Sequence, residues 1–216
     1  MNIILFGPPG AGKGTHSVNL AKDLNLYKIS TGDLLREEIK NDTVLGKKTK
    51  HTVDSGLLVS DEIINDLVAK ILSDNNFFNR LIFDGYPRNL YQVKSLDLMM
   101  KKYQQKISCV LNLNVDKESI SKRILGRQTC SMCGSIFNKH YNPATTKNHS
   151  CDSKFLNKRS DDNKKTIINR FENYLDKTLP ILNFYSEQKK LRKIDGTRQI
   201  NQIYDEICSI IVSLET

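Results

Sequence analysis

The chain has 216 residues, of which 38% are hydrophobic and 26% are charged. That length suits one globular domain carrying insertions, and the apolar content excludes a wholly disordered chain. No apolar run reaches the roughly 20 residues that span a bilayer, and residues 1–6 lack the charged region and cleavage site of a secretory signal. The sequence therefore predicts a cytoplasmic protein that does not enter a membrane.

The positive charge of the chain is concentrated in one segment. Lys and Arg outnumber Asp and Glu by 33 to 24, which gives a formal net charge of +9. Nine Lys and Arg against three Asp fall within residues 123–165. A local basic cluster suits either nucleic acid or a small polyphosphate, and charge alone does not decide between them.

Strand and helix patterns alternate along the chain. Short apolar runs predict strands buried on both faces at residues 3–6, 81–83 and 110–113, and residues 191–195 are a weaker candidate. Helical spacing follows the first run and then recurs at residues 61–72, 90–103, 117–125, 166–187 and 199–214. Strands that alternate with helices predict an α/β fold with a doubly wound parallel sheet.

Residues 127–162 interrupt this alternation. The segment has no helical periodicity, and Cys, His, Asn, Lys and Ser dominate it. A bare loop of that length is uncommon in a compact domain. We therefore expect a small β-rich subdomain inserted into the α/β domain.

The five cysteines divide into two groups. Their odd number, without a secretory signal, argues against a disulfide framework. Cys109 and Cys208 lie in apolar stretches typical of core thiols. Cys130 and Cys133 have the two-residue spacing of zinc ligands, and Cys151 follows 17 residues later. These three predict a structural zinc site, for which the fourth ligand is open among Asp152, His149 and His140.

A glycine-rich segment follows the first predicted strand and precedes the first predicted helix. Residues 7–13 read Gly-x-x-x-x-Gly-Lys, with Gly14 in the usual Ser/Thr position and Thr15 supplying a hydroxyl one residue later. In such a loop the backbone N–H groups point at a phosphate, the helix N-terminus adds partial positive charge, and Lys13 reaches the outer phosphates. The segment predicts a phosphate-binding loop.

Two further segments place polar residues at the expected ligand-binding edge of the sheet. Asp84 ends the strand at residues 81–83, where a carboxylate suits Mg²⁺ bound through water. The turn that follows directs Arg88 at the crevice beyond the strand ends. Residues 30–33, Ser-Thr-Gly-Asp, are typical of a helix N-cap and place Arg36 on the first turns of that helix.

The arginines are placed differently from the lysines. Lysine occupies most solvated positions, whereas six arginines lie at the edges of predicted elements or motifs: Arg36, Arg88, Arg123, Arg127, Arg159 and Arg170. Guanidinium binds phosphate oxygens in a bidentate manner and stays ionised. Together with a phosphate-binding loop, the set predicts two phosphorylated substrates.

Six segments together resemble the adenylate kinase family in order and spacing. They are residues 7–15, 30–36, 56–62, 83–92, 123–127 and 159–162. The resemblance implies a P-loop kinase with a five-stranded parallel sheet and a small β-rich lid of the long bacterial type. It further implies a core of residues 1–29, 60–122 and 160–216, an AMP-binding flap of residues 30–59, and a lid of residues 123–159.

The resemblance implies an ATP:AMP phosphotransferase. The reaction would move the terminal phosphoryl group of Mg²⁺-ATP to AMP, give two ADP, and serve adenine nucleotide homeostasis. We expect a monomer that binds ATP, AMP and ADP and no nucleic acid.

The resemblance also implies which residues would bind each nucleotide. ATP would be bound by Gly10, Ala11, Gly12, Lys13, Gly14, Thr15, Arg123, Arg127, Ile136, Phe137 and Arg198. AMP would be bound by Thr31, Arg36, Leu57, Leu58, Val59, Gly85, Tyr86, Pro87, Arg88, Gln92, Arg159 and Arg170. The catalytic set would be Lys13, Asp84, Arg88, Arg123, Arg159 and Arg170.

The sequence departs from the family pattern at two places. His16 stands where the family is expected to have Gln, on the first turn of the predicted helix. Lys154 stands where the family would place a fourth zinc ligand, and the stretch from Cys151 to Arg159 is about two residues short.

Two alternative functions follow from the same residues. A kinase for UMP, CMP or GMP would share the fold and the mechanism, but Thr31, Gln92 and the long lid favour AMP. A nucleic-acid-binding protein could use the basic insert as a zinc ribbon, but that insert offers few aromatic residues on which bases could stack. That second function also leaves the phosphate-binding loop without a role.

Overall fold

A five-stranded parallel sheet lies at the centre of the protein, as the strand–helix alternation predicts. The computed structural model describes residues 1–159 and 161–214. The strands are β1 (Asn2–Phe6), β2 (Tyr27–Ser30), β3 (Leu81–Asp84), β4 (Cys109–Asn114) and β8 (Leu191–Asp195). Their order in the sheet is β2-β3-β1-β4-β8, and Ile4 of β1 is in register with Phe83 of β3 and Val110 of β4. The predicted α/β class is confirmed.

Helices cover both faces of this sheet. They are α1 (Lys13–Asp23), α2 (Thr31–Lys40), α3 (Val44–Asp54), α4 (Asp61–Leu72), α5 (Leu90–Lys102), α6 (Lys117–Leu125), α7 (Lys164–Asn173), α8 (Ile181–Glu187) and α9 (Ile200–Val212). Side chains alternate along a strand, so Ile4 packs on one face with residues of α4, α5 and α8. Ile3 packs on the other face with residues of α1, α6 and α9. The sheet is therefore doubly wound.

Side-chain caps fix where several helices begin. Ser30 accepts a hydrogen bond from the backbone N–H of Asp33 at 3.2 Å and starts α2, as predicted. Thr43 accepts from Gly46 N at 3.0 Å and starts α3. A Cβ on Gly46 would lie 2.1 Å from Glu38 O, so only glycine allows α2 and α3 to pack this closely.

The helix predicted over residues 166–187 is wrong as a single element. The structure divides the segment into α7, a π-helical turn at Tyr174–Thr178, and α8. Pro180 precedes α8 and has no N–H to donate, so it is excluded from the interior of a continuous helix. Asn163 caps α7 by accepting from Thr166 N at 3.0 Å, which starts the helix two residues earlier than predicted.

The insert forms a second, smaller sheet. Strands β5 (Arg127–Cys130), β6 (Ile136–Asn138) and β7 (Leu156–Asn157) pair antiparallel in the order β6-β5-β7. The predicted β-rich insert is confirmed. Ser160, within the predicted 159–162 motif, and residues 215–216 of the predicted core lie outside the described residues. No helix in the described parts of the chain is long and apolar enough to cross a membrane.

Candidate active site

The carboxyl ends of the parallel strands open into a cavity of about 680 Å³. Ligands bind at this edge in open α/β sheets, because the strands end there and the loops diverge. The glycine-rich loop, the start of α2, the turn after β3, the insert and residues 197–201 all contribute to the wall. Every predicted ATP or AMP contact lines this cavity except Tyr86. Tyr86 is 1% exposed in the core, and its hydroxyl donates to Asn65 Oδ1 at 2.7 Å.

The glycine-rich loop has the backbone shape that the sequence predicts. Gly10 and Gly12 have φ of +81° and +99°, a region that disfavours side chains. Lys13 donates from Nζ to Gly7 O at 2.7 Å and to Pro8 O at 3.0 Å, so its ammonium lies against the loop. Helix α1 begins at Lys13 and directs its N-terminal N–H groups toward the same space.

The electrostatics of the cavity favour an anion. Burial lowers the pKa of Lys13 to about 8, with Arg88, Arg127 and Arg170 adding to the shift and Asp84 opposing it. Burial and neighbouring guanidinium groups likewise lower the pKa of Arg170 to about 9. Several cations held together in a desolvated pocket repel one another, and a bound phosphate relieves that repulsion.

Gly14, which stands where a phosphate-binding loop usually has Ser or Thr, lies close to the insert. A Cβ there would lie 2.8 Å from Cδ1 of Ile136, which reaches across from the insert. The same Cβ would lie 3.6 Å from Asp84 Oδ2, so the loop and the end of β3 are also close. Ser17 lies one turn further along α1 and donates from Oγ to Gly14 O at 3.0 Å. The insert therefore closes directly over the loop, and a side chain at residue 14 would require the end of the Ile136 side chain to move.

Three carboxylates hold the arginines of the cavity wall. Asp33 accepts from Arg36 Nη2 at 2.5 Å and from Arg159 Nη2 at 3.2 Å. Although burial opposes the shift, these arginines and Lys28 hold the pKa of Asp33 well below its usual range. Asp161 pairs with Arg36 and Arg170, and Asp162 pairs with Arg127. These acids lie in two of the segments that the sequence singles out, but the sequence does not show which arginines they hold, because most of the partners lie on other elements.

The turn after β3 holds Arg88 by both its backbone and its side chain. Arg88 Nε donates to Gly85 O at 2.7 Å, and the backbone N–H of Arg88 donates to Gln92 Oε1 at 2.7 Å. Thr178, in the π-helical turn, donates from Oγ1 to Arg88 O at 2.9 Å. Thr31 donates from Oγ1 to Gly85 O at 3.0 Å, which joins the start of α2 to the turn. The guanidinium is therefore directed into the cavity by three neighbouring elements.

The opposite end of the cavity is built from the insert and α6. The Arg123 guanidinium lies over the ring of Tyr141, with Cζ 5.5 Å from the ring centroid, and Asn138 Nδ2 donates to Arg123 O at 2.7 Å. Ile136, Phe137 and Arg198 also lie in this wall, as predicted for the ATP side. Tyr141 and Asn138 are not among the residues predicted from the sequence, although their position beside Ile136 and Phe137 is a feature that could have identified them.

Comparisons with known proteins agree with this geometry. A family model described as adenylate kinase matches residues 5–190. An adenylate kinase of Pelagibacter ubique is 42% identical over 211 residues, covering 98% of this chain and 99% of that protein. Adenylate kinases of Alkaliphilus oremlandii and Clostridioides difficile are 40% and 39% identical, each over 99% of both chains.

The chain belongs to the adenylate kinase family. It is accordingly a phosphotransferase that moves the terminal phosphoryl group of ATP, used with Mg²⁺, to AMP. A kinase for another monophosphate and a zinc-ribbon nucleic-acid-binding protein are not favoured by these relatives.

The insert gathers the three cysteines with one histidine. The ligand atoms of Cys130, Cys133, His149 and Cys151 all lie within 4.8 Å of one another. His149 Nε2 is buried and has no hydrogen-bond partner among the residues that the structure describes, and its ring packs edge-on against Phe137 at 4.8 Å between centroids. Of the three candidates for the fourth ligand, the structure places His149 in the cluster.

The other two candidates make contacts elsewhere. Asp152 caps a short 3₁₀ turn by accepting from Lys154 N at 2.9 Å, and it pairs with Lys154 Nζ at 3.3 Å. The His140 ring lies edge-on to Tyr141, 6.5 Å between centroids.

His16 is buried beneath the phosphate-binding loop. The side chain is 2% exposed, and Nδ1 has no hydrogen-bond partner among the described residues. Burial, reinforced by Arg123, lowers the pKa of His16 to about 4. The imidazole is therefore neutral in the folded enzyme at neutral pH.

We expect His16 to make the enzyme less stable in mild acid. In the unfolded chain the imidazole titrates near 6.5, so between pH 6.5 and 4 the unfolded state binds a proton that the folded state does not. The free energy of unfolding therefore has its full value above pH 6.5 and falls by about 3 kcal/mol in all as the pH drops to 4. Urea denaturation over this pH range measures the loss, and His16→Gln is expected to remove it.

The exposed His51 provides the control for that experiment. His51→Gln should keep the wild-type dependence of the free energy of unfolding on pH, because His51 lies on the solvent face of α3. Parallel pH dependences for wild type and His16→Gln would contradict the prediction.

Proposed function

We propose that the cavity holds both nucleotides at once, with the ATP phosphates on the loop at residues 10–15 and AMP between α2 and the turn after β3. The observation that carries this proposal is the convergence of Lys13, Arg88 and Arg170 on one cavity. A cation set of this kind suits the charge of several phosphate groups. Lys13 and Asp84 lie at the loop, and Arg88 comes from the acceptor side.

On the donor side, the loop binds the phosphates and the insert binds the rest of ATP. The backbone of residues 10–15 and Lys13 contact the phosphate oxygens, with Lys13 following the transferred group. Arg123 and Arg127 contact ATP from α6 and β5. Ile136, Phe137 and Arg198 flank the adenine, in a wall that already carries the Arg123–Tyr141 pair.

On the acceptor side, AMP lies between the flap and the turn after β3. Its base is contacted by Thr31, by the backbone at residues 57–59 and by Gln92, and its phosphate by Arg36 and Arg88. The Tyr86 side chain takes no part, because it is enclosed in the core. Arg159 and Arg170 complete the contacts to the phosphates from the opposite wall.

Phosphoryl transfer requires mainly that the two nucleotides be aligned and that negative charge be stabilised. Phosphoryl transfer develops charge on the equatorial oxygens of the transferred group, and the converging cations oppose that charge. Mg²⁺ carried by ATP neutralises further charge on the phosphates. Asp84 and Thr15, which both line the cavity, offer the oxygen ligands that suit Mg²⁺ and its bound water.

The insert keeps water from the reacting groups. Ile136 packs over the loop at Gly14, and Arg159 of the insert pairs with Asp33 of α2. Exclusion of water prevents hydrolysis of ATP and strengthens the charge interactions inside. We therefore assign residues 123–159 to a lid, residues 30–59 to a flap, and residues 1–29, 60–122 and 160–216 to the core. Closure of a lid is the motion for which adenylate kinase itself is a standard example.

A monophosphate panel tests the proposed acceptor. The chain is incubated with Mg²⁺-ATP and, separately, with AMP, GMP, CMP or UMP, and the products are followed by ³¹P NMR. Rapid formation of ADP with AMP is expected. Comparable turnover of another monophosphate with AMP inert would overturn the acceptor assignment.

We further propose that Cys130, Cys133, His149 and Cys151 bind a structural zinc ion. A tetrahedral zinc site places its sulfur and nitrogen ligands about 3.5 to 3.8 Å apart. Ligand atoms within 4.8 Å of one another need only a small adjustment to reach that geometry. The buried Nε2 of His149, to which no other described residue hydrogen-bonds, gives the cluster a fourth ligand where Lys154 could not serve. The ion would clamp the lid and would take no part in phosphoryl transfer.

Removing the zinc is expected to loosen the lid. We expect about one zinc per chain by mass spectrometry, and a lower melting temperature after chelation or in His149→Ala, because metal binding stabilises the folded lid. His140→Ala, outside the cluster, should keep both the metal and the melting temperature. Less than about a tenth of a zinc per chain in the wild type would contradict the proposal.

Regarding partners, we propose a cytoplasmic monomer that binds neither nucleic acid nor a membrane. Arg127 and Arg159 of the basic segment face the cavity and pair with acids instead of forming a surface stripe. Analytical ultracentrifugation tests the monomer, and a salt-dependent gel shift on RNA or DNA would contradict the absence of nucleic-acid binding.

A further inference from the structure

The side-chain amide of Gln92 has a fixed orientation in the cavity wall. The side chain is 2% exposed and lies in the first turn of α5, at the acceptor end of the cavity. Its amide makes two short hydrogen bonds to the protein. Oε1 accepts from the backbone N–H of Arg88 at 2.7 Å, and Nε2 donates to Asp61 Oδ1 at 2.7 Å.

These two partners determine which end of the amide is oxygen. In the reverse orientation, Nε2 would face the N–H of Arg88 and Oε1 would face the carboxylate of Asp61. Both contacts would then be repulsive, one between two donors and the other between two acceptors. Because the side chain is enclosed, the amide cannot turn to water for other partners.

Asp61 is itself held in place behind Gln92. Asn89 Nδ2 donates to Asp61 Oδ1 at 2.9 Å and to Oδ2 at 3.1 Å. The other end of the Asn89 amide caps α5, with Oδ1 accepting from Gln92 N at 2.8 Å. Asp61 stands at the first position of α4, outside the cavity wall, and so reaches a ligand only through Gln92.

We propose that Asp61 is a positioning residue that makes the acceptor site select adenine over guanine, because it fixes the amide orientation of Gln92 together with the backbone N–H of Arg88. The inference rests on the proposed contact of Gln92 with the acceptor base. One N–H and one lone pair of the amide are used by Asp61 and Arg88, which leaves one donor and one acceptor for a ligand.

Adenine and guanine present opposite patterns to that amide. Adenine donates from N6 and accepts at N1, whereas guanine in the same pose accepts at O6 and donates from N1. A fixed amide that fits adenine therefore meets guanine with two acceptors facing each other and two donors facing each other. Buried polar groups left unpaired in this way give strong discrimination between substrates. An amide free to turn would fit guanine as well.

Asp61→Leu is the decisive variant, because it removes the carboxylate and keeps a side chain of similar shape. We expect the ratio of kcat/KM for AMP to kcat/KM for GMP to fall at least about tenfold, while KM for ATP stays unchanged. Asp61→Asn should keep a ratio near that of the wild type. Its Oδ1 can still accept from both Gln92 Nε2 and Asn89 Nδ2, as Asp61 Oδ1 does.

Glu62→Leu is the matched control. Glu62 is the next acidic residue in the first turn of α4 and is exposed, so its loss tests the effect of charge at the helix N-terminus alone. It should leave the AMP to GMP ratio unchanged. Asp61→Ala replaces Asp61→Leu if leucine prevents folding, as judged by the melting temperature.

The outcomes separate this inference from the proposed function. An unchanged ratio in folded Asp61→Leu or Asp61→Ala overturns the role of Asp61. Gln92→Leu, measured in parallel, tests the underlying contact with the base. If Gln92→Leu alters the ratio and Asp61→Leu does not, only the inference is lost. If Gln92→Leu also leaves KM for AMP and the ratio unchanged, the proposed contact of Gln92 with the acceptor base is overturned as well.

Discussion

Lys13→Met is expected to lower kcat about a thousandfold and to leave the fold intact. The Lys13 ammonium lies against the loop carbonyls of Gly7 and Pro8, where it can follow the transferred phosphoryl group. Methionine keeps the length of the side chain and removes its charge. The loss should appear mainly in kcat, since an interaction made chiefly in the transition state lowers turnover more than substrate binding.

Stability should change in the opposite direction from activity. Burial lowers the pKa of Lys13 to about 8, well below its value in an unfolded chain. The buried charge therefore destabilises the folded state at neutral pH. A neutral side chain removes that cost, and the melting temperature of Lys13→Met at pH 7 should equal or exceed that of the wild type. The benefit should fade as the pH rises above 8, where the lysine of the folded wild type is itself neutral.

Lys22→Met supplies the control on the same helix. Lys22 lies in the last turn of α1 and is exposed, so its replacement should alter neither kcat nor the loop. Turnover by Lys13→Met within tenfold of the wild type would refute the role given to Lys13. A large fall in its melting temperature would show that the side chain serves the fold instead.

The central strands could be predicted from sequence because burial on both faces leaves a continuous apolar run. Residues 3–6, 81–83 and 110–113 show that run, and each lies in a strand of the sheet. The edge strand β2 could not be predicted in this way. Tyr27 and Lys28 of β2 are partly open to solvent, so the strand lacks an apolar run.

The α2–α3 pair was only partly predictable for a related reason. The Ser30 cap predicts where α2 begins. The position of α3 depends on Gly46 packing against Glu38 O, and no local sequence pattern specifies such a contact between two helices. Local sequence specifies how an element begins. It does not specify which backbone the element will touch.

The same limit applies to the site. Motifs with fixed spacing, such as the phosphate-binding loop, act through neighbouring backbone groups and are visible in sequence. Asp161, Asp162 and Asp61 lie in segments that the sequence singles out, but they act through arginine or amide partners on other elements, so only the folded chain shows what each of them holds. The fourth zinc ligand was open for this reason too, since His140, His149 and Asp152 have suitable chemistry and differ only in position.

Arg88→Ala is expected to lower kcat/KM for AMP by about a thousandfold, with a rise in KM for AMP and little change in KM for ATP. Arg88 belongs to the acceptor side, where its Nε donates to Gly85 O at 2.7 Å and directs the rest of the guanidinium into the cavity. The AMP phosphate thus loses a bidentate partner both when it binds and when it attacks.

Arg88→Lys should recover little of that loss. Lysine is a point charge without the planar fork, and it cannot donate to Gly85 O while also presenting two parallel N–H groups to a phosphate. A charge-only role predicts substantial rescue by lysine, whereas a role in orientation predicts almost none. Steady-state kinetics with AMP varied at saturating Mg²⁺-ATP distinguish the two.

The fold should tolerate the loss of Arg88. Burial and the nearby Arg36 lower the pKa of the Arg88 guanidinium, although Asp84 opposes the shift, so the folded state gains little from this charge. The melting temperature of Arg88→Ala should therefore stay close to that of the wild type, and Arg192→Ala, at an exposed position of β8, serves as the control for loss of an arginine. Near wild-type turnover in Arg88→Ala would contradict the placement of the AMP phosphate. Burial also lowers the pKa of Arg159 and Arg170, so these guanidinium groups, like that of Arg88, are held ready for phosphates at some expense to the stability of the folded protein.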